Sequence, residues 1–84
     1  MGQTILRLPA VKERTGLSRS SIYKAVAGGL WTRPVHLAPR AVGWPSGECD
    51  AILAARIAGR PDDEIKRLVI ALEAARQDAG VAAA

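Results

Sequence analysis

Val11-Lys12-Glu13-Arg14-Thr15-Gly16-Leu17-Ser18-Arg19-Ser20-Ser21-Ile22-Tyr23-Lys24-Ala25-Val26 reads as two short helices joined by a tight turn. Gly16 can take the left-handed conformation that ends a helix at no steric cost. Leu17 is an apolar turn residue placed to plug the gap between the helices. Ser18 stands where an N-cap belongs, its hydroxyl free to accept a backbone N–H two or three residues on. In the second helix Ile22, Ala25 and Val26 recur at helical spacing and face a core. Arg19, Ser20, Tyr23, Lys24 and Ala27 fall on the opposite side. That face is cationic and rich in hydroxyls at a helix N-terminus, whose free N–H groups and dipole favour phosphate. These are the properties of a helix that enters the major groove N-terminus first.

The chain has 84 residues, enough for one domain with a small core and little room for an enclosed active site. It contains no Phe, and Trp31, Trp44 and Tyr23 are its only aromatic residues. Charge is uneven. Residues 1–44 carry seven cations against the single acid Glu13, whereas residues 45–84 carry five cations against seven acids. A basic half that also holds the helix pair points to a polyanionic partner. The single Cys49 excludes an intramolecular disulfide and supplies too few thiols for a structural zinc site, which fits a reducing cytoplasm. No apolar run reaches the roughly 20 residues of a membrane helix, and no signal-peptide pattern opens the chain.

Outward from the central stretch, residues 1–4 are expected to fray. Ile5-Leu6-Arg7-Leu8 is an apolar lead-in, with Leu6 and Leu8 stapling the first helix to the core. That helix spans about Pro9 to Thr15 and turns Lys12 and Arg14 outward, towards backbone phosphates if a duplex is near. Gly28-Gly29 ends the second helix, and Trp31 is a packing residue beneath the pair. Val35-His36-Leu37 and Ala41-Val42-Gly43-Trp44 read as two short strands around Pro39-Arg40. Alternation puts Val35 and Leu37 on one face and His36 on the other, with Val42 and Trp44 supplying the packing that an isolated hairpin lacks. A helix-turn-helix followed by a hairpin is a winged helix. Arg40 is at the wing tip, with Arg33 and His36 nearby, positioned for phosphates or the adjacent minor groove. His36 has no second His or acid at ligand spacing, so metal binding and general-base roles are rejected.

Ser46 is the expected N-cap of a third helix with acidic Glu48 and Asp50 in its first turn. Ile52, Leu53 and Ile57, flanked by Cys49 and Ala54, form its apolar stripe. Acidic neighbours raise the Cys49 pKa, which makes it a small core residue rather than a reactive thiol. Asp62-Asp63-Glu64 opens a fourth helix, about 62–79, closed by Gly80, with a disordered tail behind it. Ile65, Leu68, Val69, Leu72 and Ala75 or Ala79 make one apolar face; Lys66, Arg67, Glu73, Arg76 and Gln77 lie largely off it. Two readings of that stripe stay open. It packs back on its own domain, or Ile65, Leu68, Val69 and Leu72 form a homo-oligomer face.

Residues 5–58 resemble the AlpA-like prophage regulatory proteins, which carry a MerR-like winged helix-turn-helix. The matching blocks are Ile5-Leu6-Arg7-Leu8-Pro9, Thr15 to Lys24, Arg33-Pro34-Val35, Val42-Gly43-Trp44 and Glu48-Cys49-Asp50-Ala51. Leu30-Trp31-Thr32 replaces the family's charged-Phe-Pro run, and residues 60–80 extend past its pattern. The resemblance implies binding of double-stranded DNA by a phage-type regulator, acting on transcription or as an excisionase beside a phage integrase. It also implies DNA contacts from Arg19, Ser20, Tyr23 and Lys24, and from Arg40 in the wing.

The sequence therefore predicts a mainly α fold with a small β-hairpin. Residues 1–59 form a winged helix-turn-helix domain, and residues 60–84 hold an amphipathic helix and tail. The function read from it is sequence-preferring DNA binding in the bacterial cytoplasm, at the nucleoid. Ser18, Arg19, Ser20, Tyr23 and Lys24 act in the recognition helix, and Lys12, Arg14, Arg33, His36 and Arg40 act from the backbone-contacting elements and wing. The alternative is a protein–protein adaptor working through the fourth helix. No nucleophile–base pair, paired carboxylates, metal cluster or phosphate-cradling loop points to an enzyme, a cofactor or a small-molecule ligand.

Overall fold

The computed structural model describes the backbone over residues 4–83 and side chains over 4–76; the expectations for residues 1–3, the Ala79 side chain and the tail at 81–84 lie outside the described side chains. In chain order the elements are β1 (Ile5–Leu6), α1 (Leu8–Thr15), α2 (Arg19–Ala27), β2 (Val35–Ala38), β3 (Ala41–Pro45), α3 (Ser46–Ile57) and α4 (Asp62–Ala83). The fold is mainly α with a small antiparallel sheet of order β1-β3-β2. The last helix continues through Gly80, where closure was expected.

The turn between α1 and α2 forms as its residues dictate. Gly16 ends α1 in the left-handed region, with φ of 71°, and its N–H donates to the Lys12 carbonyl. The Thr15 hydroxyl donates to the Val11 carbonyl at 2.8 Å and accepts the Leu17 N–H at 3.1 Å. Ser18 Oγ accepts the Ser21 N–H at 3.1 Å, which satisfies one of the orphan donors that open a helix. Leu17 does not plug the gap between the helices. It stays exposed at the mouth of a groove lined by Thr15, Ser21, Ala25, Trp31, Leu53 and Arg56.

The lead-in is more than a staple. Its strand pairs with β3, Ile5 opposite Pro45 and Leu6 opposite Trp44, so the hairpin becomes a three-stranded sheet with β3 in the middle. Thr4, expected to fray, is tied down by both of its backbone groups: its N–H donates to Ser46 Oγ at 3.1 Å and its carbonyl accepts the Ser46 N–H at 2.7 Å. Ser46 is accordingly not an N-cap. It is the first residue of α3, preceded by Pro45 at the cap position with no side-chain capping bond.

The hairpin turns over Pro39-Arg40 without any residue at positive φ. Two-residue hairpin loops favour mirror-image turns that need such residues, because ordinary turns splay the strands. Here β2 absorbs the mismatch with a register shift between His36 and Ala38. That bulge overrides simple alternation, and Leu37, expected beside Val35, is 52% exposed.

Trp44 is wholly buried in a core with Leu6, Val11, Ile22, Trp31, Cys49, Ile52, Ile65 and Val69. Its indole N–H donates to the Thr32 carbonyl at 2.7 Å. Ile57, placed on the α3 stripe by sequence, is 85% exposed. Five residues after Ile52 it has swung about 140° round the helix, away from the core. The proposed oligomer face also needs correction. Ile65 and Val69 belong to the core of their own chain, and Leu68 and Leu72 pack against it, so all four lie on the covered side of α4. Residues 65–72 of α4 thus share one core with the elements before them.

The sheet makes one stringent demand on sequence. A Cβ at Gly43 would lie 2.5 Å from Ile5 Cγ2 and 2.9 Å from the Leu6 carbonyl oxygen. A methyl group there must push β1 off β3. Gly43→Ala is therefore expected to cost about 1–3 kcal/mol, by analogy with overpacked cores. Denaturant unfolding checks this, and an unchanged midpoint contradicts the close approach.

Candidate nucleic-acid interface

The basic face of α2 is open. Ser18, Arg19, Ser20 and Lys24 are exposed, while Ile22 on the opposite face is buried. Tyr23 joins the two sides. Its half-buried ring meets Trp44 edge-on at a centroid distance of 6.0 Å and an interplanar angle of 61°. The Arg19 guanidinium carbon lies 5.7 Å from the centre of the same ring. A core aromatic pair thus carries a cation at its outer edge, in cation–π range. Tyr23 therefore has a packing role beside the contact role read from sequence.

The remaining predicted cations divide by whether the chain already neutralises them. Lys12 on α1 and Arg40 at the hairpin tip are exposed, and among the described residues they pair with no carboxylate; nor do Arg19 and Lys24. Arg14 instead donates to Asp50 of α3 at 2.9 Å. Both partners are largely exposed, so the bond is worth no more than about 1 kcal/mol and can be exchanged for a phosphate. Arg33 pairs with Glu73 at 3.3 Å, yet its own side chain remains 76% exposed. His36 is exposed on β2, opposite Val42.

Sequence reading missed a cluster behind the hairpin. Glu48, in the first turn of α3, is buried and accepts two bonds from Arg76, at 2.7 Å from Nε and 2.6 Å from Nη2. These bonds hold the Arg76 guanidinium even further above its ordinary pKa. Arg76 Nη2 also donates to the Arg33 carbonyl at 2.7 Å, and Glu73 accepts the Arg33 N–H at 2.8 Å. The signal was present in the spacing. Positions 65, 69, 72 and 76 continue one helical stripe, and a cation on a covered stripe needs a buried acid.

Among the described residues no group of three or more His, Cys, Asp or Glu side chains could hold a metal ion. No helix in the same range is long and apolar enough to cross a membrane.

A family model described as Prophage CP4-57 regulatory protein (AlpA) matches residues 4–57. The chain belongs to the AlpA family. This is a family of regulatory proteins of prophage type, not of enzymes. A protein of Enterobacteria phage P4, described as uncharacterized protein ORF88, is 41% identical over 58 residues, covering 69% of this chain and 66% of the relative. The chain spans just under two thirds of the length of that curated relative. No solved structure matches the chain. The AlpA match covers the turn, α2, the sheet and α3, and ends before α4 begins.

Cys49 reports on the packing beneath this face. Burial, with help from Glu48 and Asp50, pushes its thiol from about 9.0 up to about 11. The folded state therefore favours the neutral thiol over that range. The stability this gives is complete below pH 9 and falls away as the pH rises towards 11. The native protein is expected to react with a thiol-specific disulfide reagent at pH 8 at least about tenfold more slowly than the urea-unfolded chain, since the thiolate is the nucleophile. Equal rates contradict the burial.

Proposed function

We propose that the chain is a sequence-preferring regulator of double-stranded DNA, built as a winged helix-turn-helix. The N-terminal half of α2 enters the major groove, and the β2–β3 hairpin is the wing that rests on the backbone beside it. The observation that carries this reading is the set of exposed groups Arg19, Ser20 and Lys24 at a serine-capped helix start, where neither cation has a carboxylate partner among the described residues. Dipole, free N–H groups and side-chain cations all favour phosphate and base edges there.

The division of labour follows from reach. Lys12, Arg33 and Arg40 set register on phosphates, and Arg14 joins them by exchanging Asp50 for a phosphate. Arg19, already stacked on Tyr23, takes a guanine edge through its planar fork, and Ser20 and Lys24 read neighbouring positions. His36 lines the wing face next to the backbone. Membership in the AlpA family supports regulation at a prophage promoter or excision of the element beside a phage integrase; either role keeps the protein at the nucleoid. More than one copy can occupy such sites, and footprinting on the upstream region and the nearest attachment site gives their number and spacing. The adaptor reading has less support, because the apolar stripe of Ile65, Leu68, Val69 and Leu72 on α4 packs on its own chain.

Two substitutions separate base reading from backbone contact. Arg19→Ala is expected to cost about 1–3 kcal/mol of discrimination at one base pair. Arg40→Ala is expected to weaken binding to all duplexes alike and to reduce the slope of log affinity against log salt by about one. Anisotropy titrations over a salt series measure both. Preserved discrimination in Arg19→Ala overturns the assignment of α2 as the reading helix.

A further inference from the structure

The hairpin read above as the wing is held at both of its ends by one helix outside the AlpA match. At the entrance stands Arg33, two residues before β2. Its N–H goes to Glu73 at 2.8 Å, its carbonyl to Arg76 at 2.7 Å and its guanidinium to Glu73 at 3.3 Å. Its two backbone groups and its side chain are thus all bound by α4. At the exit, β3 runs directly into α3, where Glu48 grips the same Arg76 guanidinium through two bonds. A single side chain thereby bridges the start of β2 to the segment that follows β3. The sheet supplies no equivalent restraint at the tip, where β2 is bulged and Pro39-Arg40 lies exposed.

We propose that Glu73 and Arg76 are positioning residues for DNA binding, which set the stance of the β2–β3 hairpin and so bring Arg40 to the duplex backbone. The inference rests on the winged reading of the hairpin. Neither residue needs to touch DNA. Arg76 faces inward onto Glu48, and the Glu73 carboxylate orients Arg33 without covering it, since the Arg33 side chain stays largely in solvent. Planar two-point bonding is what allows one guanidinium to hold a carboxylate and a carbonyl at once, and a lysine cannot reproduce that geometry. α4 is then a brace for the wing of this chain.

The test is a double-mutant cycle between the brace and the tip. Removing Arg76 alone strands a buried carboxylate, which threatens the fold itself. Replacing a buried ion pair by apolar residues of similar volume is commonly tolerated. The variant of choice is therefore Glu48→Leu/Arg76→Met, which removes the bond to the Arg33 carbonyl while refilling the space. Binding to a mixed-sequence duplex longer than two helical turns is measured over a salt series for wild type, Arg40→Ala, the pair variant and the triple variant. In wild type, Arg40→Ala is expected to weaken binding about threefold to tenfold and to lower the salt slope by about one. The pair variant alone is expected to show that loss of slope already, and adding Arg40→Ala to it to change affinity by less than about twofold.

Amide exchange in the DNA-free pair variant is expected to accelerate over residues 33–45 and to stay unchanged over α2. If the pair variant fails to fold, Glu73→Ala, which leaves the Glu48–Arg76 bond intact, takes its place in the same cycle. An equal cost of Arg40→Ala in both backgrounds overturns the proposal and leaves the winged reading standing. An Arg40→Ala variant that binds like wild type brings down the winged reading and this inference together.

Discussion

The burial of Trp44 is the constraint on which the rest of the structure depends. Its ring lies on the middle strand of the sheet and is wholly enclosed. Its edge meets Tyr23 of α2, and its indole N–H fixes the Thr32 carbonyl just ahead of the hairpin. One side chain thus references the basic helix, the entry to β2 and the sheet to a common point. In a chain of 84 residues with three aromatic rings, no other residue type buries as much surface. Truncating a tryptophan of this kind costs about 3–5 kcal/mol, a large part of the 5–15 kcal/mol that holds a small domain together.

Around that anchor the charges sort into two populations. Arg14, Arg33, Arg56, Arg60 and Arg76 each find a carboxylate within the chain. Those pairs tie α1 to α3, the hairpin entrance to α4, α3 to α4 twice, and the connection before α4 to its first turn. Lys12, Arg19, Lys24 and Arg40 have none among the described residues, and they lie on α1, α2 and the hairpin tip. Of the internal pairs only Arg76–Glu48 is largely buried; the exposed ones contribute little to stability. The unneutralised set gives one half of the fold a field that attracts a polyanion. Among the described residues Lys66 and Arg67 of α4 have no carboxylate partner either, which makes the outer face of that helix the natural competitor for the same partner.

Much of this was legible because it is local. Gly16 and Ser18 announce a C-cap and an N-cap by their own chemistry, Ile22, Ala25 and Val26 show their period, and Pro39-Arg40 marks a turn between apolar runs. What escaped was non-local. A strand of two residues such as Ile5-Leu6 has no period to read, and it exists because β3 offers an edge forty residues away in sequence. Ser46 has the composition of a cap, yet its hydroxyl serves Thr4 because that strand arrives beside it. Leu37 obeyed alternation on paper, and a bulge required by the turn chemistry moved it out. Nothing local to α1 or α4 shows that Asp50 lies opposite Arg14, or that Glu48 draws Arg76 onto the covered side of α4. Even there the stripe of 65, 69, 72 and 76 held the clue.

The central claim is that the start of α2 and the hairpin tip, and not the outer face of α4, lie against a duplex. Titrating the isotopically labelled protein with a mixed-sequence duplex, and following backbone amide shifts, tests it most directly. The account predicts the largest changes at residues 18–24 and 39–41, with Lys66, Arg67 and Ile70 barely moved. Changes concentrated on Lys66, Arg67 and Ile70, with the start of α2 silent, contradict it.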